Sequence, residues 1–257
     1  MLKLPLTVAL ITFNEEENLP RTLERVVDIA SEIVILDSYS TDRTKDIALS
    51  YGAKFYQERW KGFREQKNSL LNKCSQQWIL FLDADEVLSE ELKISIINEL
   101  RNPRAEGYFI NRKTFYIGKF LNFSWQPDWK LRLVNRNSNP RWEGGNIHEY
   151  LAIDGKVDKL KGYLYHYTYK DIEDHFQRAL KYSKISAVEM HKRGKRFKLY
   201  KLLLNPIWAF SKQYFFHLGF LDGIRGLSVA MSYLISTFLK YLYLWELEEQ
   251  EKKNEKG

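Results

Sequence analysis

Three apolar runs in the first third of the chain each stop at a polar cluster. Thr7–Thr12 leads into Asn14-Glu15, Ile33–Leu36 stops at Asp37, and Trp78–Leu82 stops at Asp83-Ala84-Asp85. Runs this short and apolar, bounded by polar residues, read as buried strands. The segments between them carry helical spacing. Asn14 or Asn18 can cap a helix whose face is Leu19, Leu23, Val26 and Ala30, with glutamates favouring its start. A Ser/Thr/Asp turn leads into a second helix that Gly52 can end, Lys54–Tyr56 is a further short strand, and Phe63–Lys73 is helical. Strand and helix in alternation imply an α/β fold with a mostly parallel central sheet covered by helices. Such sheets bind ligands beyond the carboxyl ends of their strands, so the three polar clusters are expected on one rim.

The rest of the chain has a different texture. Residues 107–167 read as shorter strands and loops rich in Trp, Tyr, Arg and Asn, suited to an acceptor-side subdomain. From Asp171 the pattern is helical, with Phe176, Leu180, Ser183, Ala187 and Met190 on one face. The expected division is therefore a catalytic domain over 1–170, made of a nucleotide half (1–100) and an acceptor half (101–170), and a helical extension over 171–257. Within the extension no acid lies between Lys192 and Lys212, and apolar segments at Leu202–Ser211 and Gly226–Leu239 flank aromatic and basic residues. The second holds 14 uncharged residues between Arg225 and Lys240, whereas a spanning helix needs about 20. Amphipathic helices lying in an anionic membrane surface are expected, and the charged tail after Trp245 is expected to be disordered. The net charge of +7 suits anionic partners. The single cysteine, Cys74, excludes an intrachain disulfide framework, and no signal-peptide pattern opens the chain. A cytoplasmic protein at the inner face of a bacterial membrane is the expectation.

Asp83 and Asp85, two residues apart beyond a buried strand, can hold a hard divalent cation, Mg²⁺ or Mn²⁺, whose shell diphosphate oxygens and water complete. The alternative is an acidic turn capping the helix that starts near Ser89. Asp37 can accept a hydrogen bond from a base N–H, while the hydroxyls of Ser38-Tyr39-Ser40-Thr41, Ser40 among them, and Asp42 can start the next helix. Thr12, Asn14 and Glu15 leave the first strand, where a backbone turn and a carboxylate can grip a ribose or base. Lys67 and Asn68 can reach a nucleotide or form a solvated helix face.

Phe13-Asn14-Glu15-Glu16-Glu17-Asn18-Leu19, Asp37-Ser38-Tyr39-Ser40-Thr41-Asp42-Arg43-Thr44, Gln66-Lys67-Asn68 and Ile79-Leu80-Phe81-Leu82-Asp83-Ala84-Asp85-Glu86 together resemble the family-2 glycosyltransferases, which have the GT-A fold. Trp142-Glu143-Gly144-Gly145-Asn146-Ile147-His148-Glu149 and Gly219-Phe220-Leu221-Asp222-Gly223 look like the subgroup that includes the bacterial lipopolysaccharide-core β-1,4-glucosyltransferases. The resemblance implies inverting transfer from a nucleotide sugar, UDP-glucose first, to an inner-core or similar glycolipid. Ala84 and Trp142 then fall among substrate-binding positions.

Inversion needs a base that deprotonates the acceptor hydroxyl on the face opposite the diphosphate. Glu149 is the first candidate, its alternative role being a structural partner of Arg132 or Arg141. Asp128 is the second, its aromatic flanks Trp125 and Trp129 being expected to raise its pKa by desolvation. His166, and with less support His148, can complete the metal shell. Arg112, Arg132 and Arg136 can contact phosphate. The Gln-x-x-Arg-Trp pattern of processive relatives is absent, which favours addition of one sugar. A nucleic-acid-binding reading lacks any supporting motif and conflicts with the acidic rim, so nucleic acid is not expected as a partner. A nucleotidyltransferase would carry a Gly-rich basic loop where this chain has Asn14-Glu15-Glu16-Glu17.

Overall fold

The structure, a computed structural model, describes residues 3–145 and 149–254. The chain forms two compact units, Met1–Arg112 with Asp128–His166, and Lys113–Pro127 with Tyr167–Gly257. In chain order the elements are β1 (Leu4–Thr12), α1 (Leu19–Glu24), β2 (Ala30–Asp37), α2 (Thr44–Ser50), β3 (Lys54–Gln57), α3 (Phe63–Leu71), β4 (Trp78–Asp83), β5 (Glu86–Leu88), α4 (Glu90–Arg101) and β6 (Gly107–Tyr116). Then come β7 (Lys119–Phe120), β8 (Asp128–Asn135), β9 (Arg141–Gly144), β10 (Glu149–Ala152), β11 (Val157–His166), α5 (Ile172–Lys192), α6 (Leu199–Ser211) and α7 (Ile224–Asn254).

The first unit is built on a sheet of order β3-β2-β1-β4-β8-β6-β11-β5. Its first four strands are parallel, as the alternation of strand and helix requires. Beyond β4 the parallel pairing stops: β8 runs antiparallel to β4 and β6 antiparallel to β8, so the whole sheet is mixed. The central strands β1 and β4 are almost wholly apolar because both of their faces are covered, whereas the edge strand β3 is largely exposed. Leu6, Val8 and Leu10 of β1 and Trp78, Leu80 and Leu82 of β4 pack with Leu19, Leu23 and Val26 on one side. Ala9, Ile79 and Phe81 pack with Leu70, Cys74 and Trp142 on the other. Truncating a buried aromatic such as Phe81 to Ala would cost about 3–5 kcal/mol.

Helix α1 is shorter than the spacing suggests. Asn18 occupies its N-cap, yet the Asn18 amide donates to Glu15 (3.0 Å) instead of capping the helix. Gly52, at φ +72°, ends α2 as expected. Ser89 caps α4 itself by accepting from the Leu92 N–H, which removes the capping reading of Asp83-Ala84-Asp85. Cys74 is buried and donates to the Leu70 carbonyl (3.4 Å), and burial pushes its thiol up to about 12.

In the second unit α7 packs against both α5 and α6. The Gly219–Asp222 turn is pinned by Asp222, whose carboxylate accepts from the backbone N–H groups of Asn122, Phe123 and Ser124 at 2.9, 3.1 and 2.7 Å. A Cβ at Gly226 would lie 1.7 Å from the Gly219 carbonyl oxygen, so only glycine lets α7 start over that turn. Tyr116 anchors the same unit, bonding the His175 ring and Ser228 at 2.8 Å each. Burial drives the His175 pKa down to about 4.

Two expectations for this unit are corrected. The tail after Trp245 is helical as far as Asn254, where α7 is held by Glu248 accepting the Phe197 N–H and by Glu251 pairing with Arg196 at 2.7 Å. The apolar run too short to span is part of one 31-residue helix, and by length and composition that helix could cross a membrane. Uncharged residues alone understate it, because the helix extends past its charged ends.

Candidate active site

The parallel register levels the strand ends. Thr12 lies opposite Asp37, and Ile11 opposite Asp83. Asp37 is fully buried and accepts from Thr12 Oγ1 (2.9 Å), the Ser40 N–H (2.8 Å) and Gln57 Nε2 (3.2 Å). Asn14, at φ 54°, donates its N–H to Ser40 Oγ (2.8 Å) and accepts the Thr41 N–H (2.9 Å). The Glu15 N–H donates to Thr44 Oγ1 (2.8 Å), and Asp42, ahead of the N-cap residue Arg43, accepts from the N–H and hydroxyl of Thr44. The β1 and β2 clusters thus form one hydrogen-bonded rim. Tyr39, next to Asp37 in this rim, sits at φ 62°, an uncommon conformation for a bulky residue and of the kind that gathers at ligand sites.

Asp83 and Asp85 have different partners. Asp83 Oδ2 accepts from Arg132 Nη2 (2.7 Å) and Oδ1 lies 3.4 Å from Lys67 Nζ. Asp85 Oδ2 lies 3.3 Å from His166 Nε2. The expected ligands Asp83, Asp85 and His166 thus face different partners, and among the described residues no group of three His, Cys, Asp or Glu gathers as a metal cage. The cause is local. Alternate residues share a face only while a strand continues, and β4 ends at Asp83. What remains is Asp85 with His166, brought beside it by the pairing of β11 with β5, in which His166 faces Glu86. A carboxylate and an imidazole fit a cation that keeps most of its shell for diphosphate oxygens and water. His148 lies outside the described residues.

Burial works to raise the Asp83 carboxyl, but Arg132 first, then Lys67 and Arg112, hold it well below the usual carboxylate range. Arg132 is itself buried, and its Nη2 also donates to Glu86 (2.8 Å). Glu86 is fully buried, accepts the Asp83 N–H (3.0 Å) and lies 3.3 Å from Arg112 Nη1. Glu86 organises the whole cluster. The sequence offers one signal for it, an acid directly after Asp83-Ala84-Asp85 at a point where the chain re-enters the sheet.

Lys67 is buried and not on a solvated helix face: its ammonium sits 3.0 Å from Glu149 Oε1, 3.4 Å from Asp83 and 4.5 Å from the Trp142 ring centroid. Glu149 therefore has a cationic partner other than the Arg132 or Arg141 considered above. Asn68 clamps β9, donating to the Trp142 carbonyl (3.0 Å) and accepting its N–H (2.9 Å). Asp128 pairs with Arg112 (2.8 Å) and Lys130 (3.0 Å). Burial would raise its pKa, yet these two cations lower it, opposite to the expectation from its aromatic flanks. Lys67, Asp83, Arg112, Arg132, Trp142 and Glu149 line one cavity of about 530 Å³. Arg136 does not line that cavity and donates to the Ser75 carbonyl (3.2 Å).

Residues 7–164 match the family model described as "Glycosyl transferase family 2". The chain belongs to glycosyltransferase family 2. It is a glycosyltransferase with the mixed α/β GT-A fold. Among curated relatives, an uncharacterized glycosyltransferase of Rickettsia typhi is 32% identical over 93% of this chain and 86% of its own length. The lipopolysaccharide core biosynthesis glycosyltransferase LpsC of Rhizobium meliloti is 31% identical over 92% of this chain and 90% of its own. Among solved structures, S. aureus TarS 1-349 in complex with UDP aligns with 97% of this chain and 92% of its own at 14% identity and a TM-score of 0.49.

Proposed function

We propose that this enzyme transfers glucose from UDP-glucose, with inversion and a divalent cation, to a lipopolysaccharide inner-core or similar glycolipid at the cytoplasmic membrane face. The carrying observation is the Asp83–Lys67–Glu149 chain: one ammonium joins the carboxylate at the donor rim to a carboxylate of the acceptor side across a single cavity. In this reading residues 1–100 hold the donor and 101–170 the acceptor. Asp37, backed by Thr12, Ser40 and Gln57, accepts from the uracil N–H, and Asn14 and Glu15 shape the ribose pocket. Asp85 and His166 hold Mg²⁺ or Mn²⁺, which when bound offsets charge on the leaving diphosphate.

Glu149 takes the proton of the attacking hydroxyl as its oxygen bonds the anomeric carbon and the bond to the diphosphate breaks. Lys67 keeps the Glu149 carboxylate oriented toward that hydroxyl. Asp128 is the weaker base because Arg112 and Lys130 already stabilise its charge. The acceptor class is supported by the similarity to LpsC, whose name places it in lipopolysaccharide core biosynthesis.

The second unit suits work at an anionic membrane surface. On α6 and the turn after it, Leu203, Leu204, Ile207, Trp208, Phe215 and Phe216 are 56–68% exposed. An apolar face this large, with the acid-free Lys192–Lys212 segment beside it, suits in-plane docking on anionic lipid. Residues 171–257 form the membrane-associating extension in this reading.

A donor screen with Mn²⁺, using UDP-glucose, UDP-galactose, UDP-GlcNAc and GDP-mannose against a heptose-containing core acceptor, tests the proposal. UDP release with UDP-glucose alone is expected. Turnover with GDP-mannose alone would overturn the donor reading, and failure of the heptose acceptor with every donor would overturn the acceptor class.

A further inference from the structure

Between α5 and α7 lies a second cavity, open to solvent and of about 340 Å³, wholly within the second unit. A single water occupies roughly 30 Å³ of liquid, so the space admits a ligand group. It exists because the facing helix positions are small: Ser183 and Ser186 on α5, and Ser232, Ser236 and Thr237 on α7. Two cations, Arg178 and Lys240, line it, and no carboxylate does. The lining His175 adds no charge at neutral pH, since burial holds its pKa near 4.

The polar groups differ in how far the protein already satisfies them. Ser183 Oγ donates to helix carbonyls of Ala179 and Ser236 (2.6 and 2.9 Å), and Ser236 Oγ to that of Tyr233 (3.3 Å). Arg178 is paired with Asp174 at 2.8 Å. Ser186 and Thr237 have no protein hydrogen-bond partner among the described residues, and Lys240 has no carboxylate partner among them either. Lys240 is partly buried, which disfavours its charge. A lysine partly withdrawn from water without a counter-charge is unfavourable unless an anion completes it. The neighbouring Tyr241 ties the same turn of α7 to α6, its hydroxyl accepting from Asn205 Nδ2 (2.6 Å).

We propose that this cavity is a second ligand site, separate from the transferase site, that binds a phosphoryl group through Lys240, Arg178 and the hydroxyls of Ser186 and Thr237. A phosphate ester fits the donor set: it brings the negative charge Lys240 lacks and acceptor oxygens for the two hydroxyls. The group can belong to a lipid headgroup or to a free phosphate ester. The site stands independently of the donor and acceptor assignments above.

Calorimetric titration of the full chain tests it with three probes: inorganic phosphate, dihexanoyl phosphatidylglycerol below its micelle concentration, and dihexanoyl phosphatidylcholine as the zwitterionic control. Saturable binding of an anionic probe is expected, weakened at least about tenfold by Lys240→Gln and restored to within about threefold by Lys240→Arg, as a charge-assisted contact requires. Ser186→Ala with Thr237→Ala should weaken it several-fold with an unchanged thermal melt. That variant keeps the test valid if Lys240→Gln folds poorly. Binding of phosphatidylglycerol alone identifies a lipid headgroup, and equal binding of inorganic phosphate identifies a free phosphoryl source. No saturable binding of either anionic probe, equal binding of phosphatidylcholine, or wild-type affinity in both the Lys240→Gln and the double variant would overturn the proposal.

Discussion

Replacing Arg132 with Met should destabilise the first unit strongly and in a pH-dependent way. One guanidinium nitrogen bridges Asp83 at 2.7 Å and Glu86 at 2.8 Å, and Glu86 is fully buried. At an effective dielectric of 20, a unit-charge pair 4 Å apart gains about 4 kcal/mol before desolvation is counted. Removing one partner of such a buried pair leaves an uncompensated charge and costs about 3–5 kcal/mol. Arg112, 3.3 Å from Glu86, relieves part of the loss, which favours the lower end. For a chain of this size the shift in Tm is roughly 6–20 °C.

The pH dependence follows from direction. In the wild type the Asp83 pKa is depressed, so its contribution is fully present above the unfolded value, near 3.9, and is lost only as pH falls through the lower folded value. Between pH 7.5 and 5 it is therefore constant. Without Arg132, burial acts on Asp83 with less opposition, and its folded pKa rises. A group with a raised folded pKa favours folding at the lower pH, so the variant should lose less stability at pH 5 than at pH 7.5. Thermal melts of both proteins at the two pH values measure this. A loss under about 1 kcal/mol at pH 7.5, or an equal loss at both pH values, would refute the charge-compensation argument.

Asp85→Ala should lower metal-dependent UDP release at least about a hundredfold while leaving the melt unchanged, because its side-chain partner is the imidazole of His166 at 3.3 Å; retention of a normal Mn²⁺ titration would exclude Asp85 as a ligand. Glu149→Gln should reduce kcat by about 10²–10⁴ with donor affinity, read by calorimetry, within about threefold; undiminished turnover would rule out the base role. Asp37→Ala strips the acceptor from Thr12, the Ser40 N–H and Gln57, and each orphaned donor costs about 1–3 kcal/mol; uridine nucleotide binding should be lost along with several degrees of Tm, and full UDP affinity would contradict the base contact. Trp208→Glu with Phe216→Glu should cut cosedimentation with phosphatidylglycerol vesicles several-fold and spare transfer to a soluble acceptor; unchanged sedimentation would mean that α6 is not the docking face.

The sequence by itself determined the parallel half of the sheet and the position of its rim. Strand-length apolar runs that end in Asn14-Glu15, Asp37 and Asp83 carry both facts, since burial on two faces and polarity at the strand end are written into consecutive residues. The strand of Asp83, the start of α4 near Ser89 and the end of α2 at Gly52 were legible for the same local reason. The tertiary structure alone decided the electrostatics. That Lys67 joins Asp83 to Glu149, that Arg132 turns to Asp83 and Glu86, and that Arg112 reaches Asp128 and helps hold its pKa down are contacts between residues well separated in the chain. The divergence of Asp83 from Asp85 likewise depends on where β4 stops, and the continuation of α7 to Asn254 depends on Arg196 and the Phe197 N–H meeting the acids of its last turns. Propensity and periodicity report on neighbours along the chain, whereas ion pairing depends on which side chains the sheet order places within a few ångströms of one another.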